Sequence, residues 1–351
     1  MQSRRGGIKL GLDRFSGLYL WGLFIVLFGI WKPRLFLTTS NAHVVASDQA
    51  IAAMVALALL VPLVAGVYDL SVGASANLAA IIVAVLATTE HVGIWAAVAI
   101  AIGASALIGV INGFIVVKLH VNSFIVTLGM ATVIAAVQTI VSGDLQPLPP
   151  TSHLWTGLTQ HTVGGFEVVV LYLLILAAAV WWVLDRTPVG RYLYAVGGNP
   201  DAARLSGVKV GQWTWLSLIT SSTLSGIAGV FYCSLSGPSL TFGESLLLPA
   251  FAAVFLGSTQ IRPGRYNVWG TMLAVFALAT GVTGLEFVTG AQWLSDMFNG
   301  VALLAAVSFA VWRQQRTAEG RPRSGVDANG SDPDAHIEGM AEVGAQTDPG
   351  A

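Results

Sequence analysis

The sequence predicts an all-α, polytopic membrane protein of about ten transmembrane helices, with its N- and C-termini in the cytoplasm. Three observations predict it. First, of 351 residues 55% are hydrophobic and only 10% charged, whereas soluble domains carry roughly a quarter charged residues. So few charges cannot cover a water-exposed surface of this size, but lipid accepts apolar side chains facing outward. Second, the apolar residues gather into runs long enough to cross a bilayer. Third, the basic residues collect on one side of those runs.

A span needs about 20 mostly apolar residues. On that ruler the candidates lie near 15–31, 49–67, 70–88, 96–117, 122–141, 167–184, 213–234, 246–258, 266–285 and 293–312. The eighth is short, and the second and third are interrupted only around Gly66–Gly73. Nearly the whole apolar part reads as helix, with no strand required. Arg4, Arg5, Lys9 and Arg14 precede an apolar stretch from Leu18 to Trp31. The small residues Val44-Val45-Ala46 lie well past it, so an uncleaved first span is expected rather than a signal peptide. With the N-terminus inside, only Lys32 and Arg34 of the 17 Lys and Arg fall in outside segments. That asymmetry sets the orientation. The division expected is a cytoplasmic N-terminus at 1–14, a transmembrane domain at 15–312 with its longest polar inside loop at 185–212, and a cytoplasmic tail at 313–351. The tail is polar, rich in Gly, Asp and Glu and nearly free of aromatics, a composition of disorder. Residues 142–165 suit an outside loop.

Several functions are excluded or disfavoured. A net charge of −1 gives no basic field for nucleic acid. Cys233 is the sole cysteine, so no disulfide or cysteine zinc site forms within one chain, and it reads as a packing residue. His43, His91, His120, His153, His161 and His336 show no metal-ligand spacing. Phosphate-loop, H-E-x-x-H and dinucleotide fingerprints are absent. Any ATP that drives this chain must be hydrolysed by another one.

Four stretches carry polar chemistry. Asn199–Gly207 reads as a short punctuated helix. Asn199 can cap it, Pro200 suits its first position, Asp201 and Arg204 match its dipole, and Gly207 can take the left-handed stop. Two turns are marginal alone, so the segment docks on something, lies on the membrane surface, or is plain loop. In Ala65–Gly73, Asp69 is a carboxylate between two apolar runs, which is costly in a membrane. Asp69 or Ser71 either caps the following helix or meets a solute. Gly109 and Gly113 form a G-x-x-x-G spacing that permits close helix approach. Asn112 and Asn122 nearby suit helix pairing or capping more than solute contact. Phe255–Thr271 holds a tight turn with Arg262, Pro263 and Arg265, at minimum an inside anchor.

Together these stretches resemble the permease subunits of monosaccharide-type ABC importers, in the larger group that includes branched-chain amino acid permeases. The resemblance covers roughly Asn41 to Trp312. Its most specific part is TPVGRYLYAVGGNPDAARLSGV at 187–208, supported by DLSVG at 69–73, INGFIVVKLHVNSFIVTLGM at 111–130 and FLGSTQIRPGRYNVWGT at 255–271. It implies a homodimer of ten-span subunits, ATPase subunits inside that bind ATP and its magnesium ion, an external or periplasmic sugar-binding protein, and no cofactor in this chain. It implies that Gly190, Arg191, Gly197, Gly198, Asn199, Pro200, Asp201, Ala203, Arg204 and Gly207 belong to the coupling region that meets the ATPase. Asp69, Ser71, Asn112 and Asn122 are the candidates for the translocation pathway. The family's substrates include ribose, xylose, galactose and small polyols. One departure stands out: the family commonly shows GGIDLSVG, whereas Gly66 here is followed by Val67 and Tyr68 before Asp69. The rival readings are an ion-coupled secondary transporter, for which Asp69 is the one central carboxylate, an intramembrane enzyme, and a channel.

Overall fold

The computed structural model describes residues 12–291 and 293–319. The order is α1 (Leu12–Trp31), α2 (Pro33–Phe36), α3 (Thr39–Val64), α4 (Val72–Thr88), α5 (Ile94–Lys118), α6 (Ser123–Ser142), α7 (His153–Gln160), β1 (Thr162–Val163), β2 (Phe166–Glu167), α8 (Val168–Arg186), α9 (Pro188–Gly198), α10 (Pro200–Leu205), α11 (Val210–Ser236), α12 (Phe242–Ser258), α13 (Val268–Thr289) and α14 (Trp293–Glu319). Among the described residues, α3, α5, α6, α8, α11 and α13 are long and apolar enough to cross a membrane. Shorter apolar stretches lie in α1, α4, α12 and α14. Each predicted span overlies one of these helices.

The differences are local. The sequence reading needed no strand, yet β1 and β2 pair antiparallel, Thr162 opposite Glu167 and Val163 opposite Phe166. The turn between them, Gly164-Gly165, has positive φ at both residues, the backbone that a two-residue hairpin demands. The expected outside loop at 142–165 also contains α7, whose Trp155 is 1% exposed. Its apolar side chains pack beside α4, α5 and α11. Helix α14 continues beyond Trp312 to Glu319. Residues 320–351 of the expected tail, and most of the expected N-terminal segment, lie outside the described residues.

Helix α3 is the centre of the unit that ends at Val311. Nearly every residue from Ala50 to Val64 is buried, against α4, α8, α11, α12 and α13. Helices α5, α6 and α8 bury only one face each, as expected where the other face meets lipid. Small residues set the closest crossings. A Cβ on Gly109 would come within 2.6 Å of the Ile219 Cα, and one on Gly113 would strike the Trp215 ring. The G-x-x-x-G spacing therefore seats α5 on α11.

The helices give the bundle two ends. At one, α9 lies against the C-terminal end of α3, the end of α8 and the segment before α13, and α10 lies on α9 and α11. At the other, the loops before α8 and before α12 meet, with Gln146 Nε2 donating to the Pro238 carbonyl at 3.0 Å. Phe166 there packs on His43 near the start of α3.

Candidate functional site

The polar end is built on two short helices. Pro188 starts α9, and Asn199 ends it and begins α10. Asn199 is extended, and its Oδ1 accepts from the N–H groups of Asp201 at 3.1 Å and Ala202 at 3.0 Å. Pro200 needs no acceptor at this position. Gly207 ends the segment with φ +82°, and Val208 N–H closes on the Ala203 carbonyl at 3.0 Å. The punctuation read from Asn199–Gly207 is thus present. Helix α9 was not expected, because its two terminal glycines and short apolar stripe read as loop. It forms because Gly190, Leu193 and Val196 share one buried face.

Helix α10 has two unlike faces. Ala203 is 5% exposed, whereas Leu205 is 91% exposed. Ala203 therefore seats the helix on its own protein and does not face outward. Asp201 and Arg204 pair at 3.3 Å on the open side, an exposed pair that adds little stability. Arg191 and Gly198 are also exposed.

Below α10 the joint is rigid. A Cβ on Gly197 would lie 2.1 Å from the Val64 carbonyl oxygen, and one on Gly190 would lie 1.9 Å from that of Leu184. Backbone therefore touches backbone where α9 meets α3 and α8. Tyr194 donates its hydroxyl to the Tyr266 carbonyl at 2.6 Å, and the Arg265 guanidinium lies 3.6 Å over the Tyr194 ring. Burial raises the Tyr194 hydroxyl pKa, opposed by Arg265, and pushes that of Tyr266 up to about 12. Both phenols stay neutral, and Tyr194 acts as a donor. Asp185, at the end of α8, pairs with Arg262 at 2.8 Å. The Asn267 amide donates to the carbonyls of Gly257, Gln260 and Arg265, while its Oδ1 caps α13 at Gly270. The basic turn of 255–271 is thus a stitched platform as well as a positive anchor.

One layer inward lies the break between α3 and α4. Asp69, Ser71 and Asn112 are fully buried. Asp69 Oδ1 accepts from the Ser71 N–H at 3.0 Å and hydroxyl at 2.6 Å. Asn112 Nδ2 donates to Ser71 Oγ at 2.9 Å. The broken backbone finds its partners on α6: Tyr68 N–H donates to Ser123 Oγ at 3.1 Å, and Leu70 N–H to Thr127 Oγ1 at 3.0 Å. The Ser221 hydroxyl faces the Asp69 carboxyl without completing a hydrogen bond. Asn122 is apart from this node and caps α6 through the Phe124 N–H at 2.9 Å. Ser71 occupies the N-cap position of α4 without a side-chain capping bond, and Asp69 turns back on it instead; Asn112 joins α5 to this turn, and Asn122 caps α6. Among the described residues no cluster of His, Cys, Asp and Glu is arranged to hold a metal.

Residues 42–307 match the family described as branched-chain amino acid transport system, permease component. The chain belongs to this permease family. Its relatives include the ribose import permease protein of Haemophilus influenzae, 30% identical over 81% of this chain and 89% of that one. The ribose import permease protein of Bacillus subtilis is 30% identical over 86% and 92%. The fructose import permease protein of Rhizobium meliloti is 30% identical over 83% of each. The expectation of a sugar-type permease, and of several membrane-spanning helices, therefore holds.

Sequence reasoning about the permease missed three things. Leu205 was invisible because an apolar residue on a short helix reads as buried. Ser123 and Thr127 were hidden by a separation of more than fifty residues from the backbone they satisfy. Asp185 carries no signal of its own in the sequence, though it ties α8 to the basic turn.

Proposed function

We propose that this permease is the membrane-spanning subunit of an ATP-driven ABC importer for a monosaccharide or a closely related small polar solute. It crosses the cytoplasmic membrane ten times with both termini inside, pairs with a second copy, receives solute from an external sugar-binding protein, and is driven by separate ATPase subunits. It holds no cofactor and has no catalytic residue; ATP and its magnesium ion belong to the ATPase. The family match supports the transport role, and the ribose and fructose permeases among its relatives support the sugar class.

The observation that carries the coupling assignment is Leu205, 91% exposed on a helix otherwise fixed at both ends. A single exposed apolar side chain is ordinary by itself; on a short capped helix, beside the exposed Asp201 and Arg204, it offers a partner an apolar contact with a polar rim. Gly190, Gly197, Asn199, Pro200, Ala203 and Gly207 hold α10 in place. Arg191, Gly198, Asp201, Arg204 and Leu205 lie open to the ATPase. Because Gly197 rests on Val64 and Gly66, displacement of α10 reaches α3 beside the sealed node. Asp69, Ser71 and Asn112 are the framework of the pathway, and Asn122 fixes the start of α6.

Two measurements test this reading. Uptake of labelled ribose or fructose into vesicles holding the whole importer should require internal ATP and survive collapse of ion gradients; the reverse pattern contradicts an ABC importer. A reporter fused within 142–165 should be external and one after Arg316 internal. Both on one side would break the ten-span topology.

A further inference from the structure

At the end of the bundle away from α9 and α10 there is a cavity of about 260 Å³. Asp48 and Gln49 line it from the first half of α3, Phe242 and Pro249 from α12, Val275 from α13, and Asn299 from the second turn of α14. Its volume lies just below the roughly 300–1,000 Å³ of pockets for drug-sized ligands, which suits a smaller solute. Its chemistry is mixed in a specific way. The Asp48 carboxylate and the Gln49 and Asn299 amides make no hydrogen bond or ion pair to other described residues. Asp48 is exposed and Gln49 and Asn299 are half-buried, near helix ends, so their polar groups are free to meet a solute that enters the cavity. Phe242 is stacked on Tyr232, so the ring is held as a firm apolar wall. Pro249 has no N–H, which frees the Ser245 carbonyl within α12.

We propose that this chamber is a solute subsite, in which Asp48, Gln49 and Asn299 hydrogen-bond the hydroxyls of a monosaccharide while Phe242 covers the carbon–hydrogen face of its ring. This rests on the importer reading above and adds the site that receives the solute. A carboxylate accepts from hydroxyls, an amide both donates and accepts, and an apolar face needs a wall; the three together fit a polyhydroxylated ring.

The test uses the complete importer in vesicles, with Gln49→Leu and Asn299→Leu compared with the unaltered protein. Each variant should lower monosaccharide uptake about tenfold, the effect of one lost polar contact, while ATP hydrolysis stimulated by the binding protein persists. Normal uptake in both variants overturns the chamber and leaves the importer reading standing. Absence of any monosaccharide uptake by the unaltered importer overturns both. A second measurement covers misfolding of the Leu variants. In a Cys233→Ala background, Gln49→Cys should react with a hydrophilic thiol reagent, and saturating monosaccharide should slow the reaction. No reaction, or reaction at the same rate with the sugar present, overturns the proposal.

Discussion

The stretches 65–73 and 187–208 carry the same signals in the sequence, glycines beside an Asp or Asn within apolar surroundings, and they end in opposite environments. In the first, the interrupted backbone is enclosed. Asp69 holds Ser71, Asn112 reaches in from α5, and two hydroxyls of α6 take the free N–H groups. In the second, Asn199 caps α10 through the Asp201 and Ala202 N–H groups, α9 and α11 lie beneath α10, and Leu205 is left bare. A capping side chain marks where a helix stops. Whether the break becomes a buried joint or an open face depends on how many neighbours can reach it.

The comparison can be broken in order of expected effect. Asp69→Leu should be the most damaging, since it leaves two buried donors of Ser71 without an acceptor, at about 1–3 kcal/mol each. Asp69→Asn keeps an acceptor and should cost no more than about 1 kcal/mol. Thermal unfolding of the purified permease in detergent separates the two; equal melting of both variants would mean that the node is not sealed as described. Gly197→Ala comes next. Backbone cannot give way as a flexible side chain can, so a loss of about 1–3 kcal/mol is expected in the same assay, together with weaker coupling of ATP hydrolysis to transport. Unchanged stability would show that α9 does not bear on α3. Asn199→Ala should have the smallest effect on the fold, about 1 kcal/mol, confined to α10. Hydrogen exchange should rise at Asp201 and Ala202 and not in α9. Asn199→Asp should restore protection.

Much of this was legible beforehand, for physical reasons. Spans are long and their hydrophobicity is summed over many residues, so α3, α5 and α13 could be placed without any contact information. Caps are also local, so Asn199, Pro200 and Gly207 could be assigned from spacing alone. Long-range partners could not. Nothing near Tyr68 indicates that Ser123 will accept its N–H, and nothing near Asp185 indicates Arg262. Ala203 and Leu205 stand two positions apart, so helix geometry puts them on roughly opposite sides of α10, but the sequence does not say which side is covered. The packing of α10 on its own protein decides that Ala203 seats it and Leu205 is left open.

The central claim is that α10 is the surface through which a separate ATPase acts. Leu205→Asp tests it most directly, because the side chain is 91% exposed and the substitution should leave the fold within about 0.5 kcal/mol of the original. The measurement is retention of the ATPase on the purified, membrane-inserted permease, read beside the hydrolysis stimulated by the binding protein. The account predicts an unchanged melting temperature for the permease alone, with loss of both the bound ATPase and the stimulated hydrolysis. A Leu205→Asp permease that keeps its ATPase and its stimulated hydrolysis would contradict it.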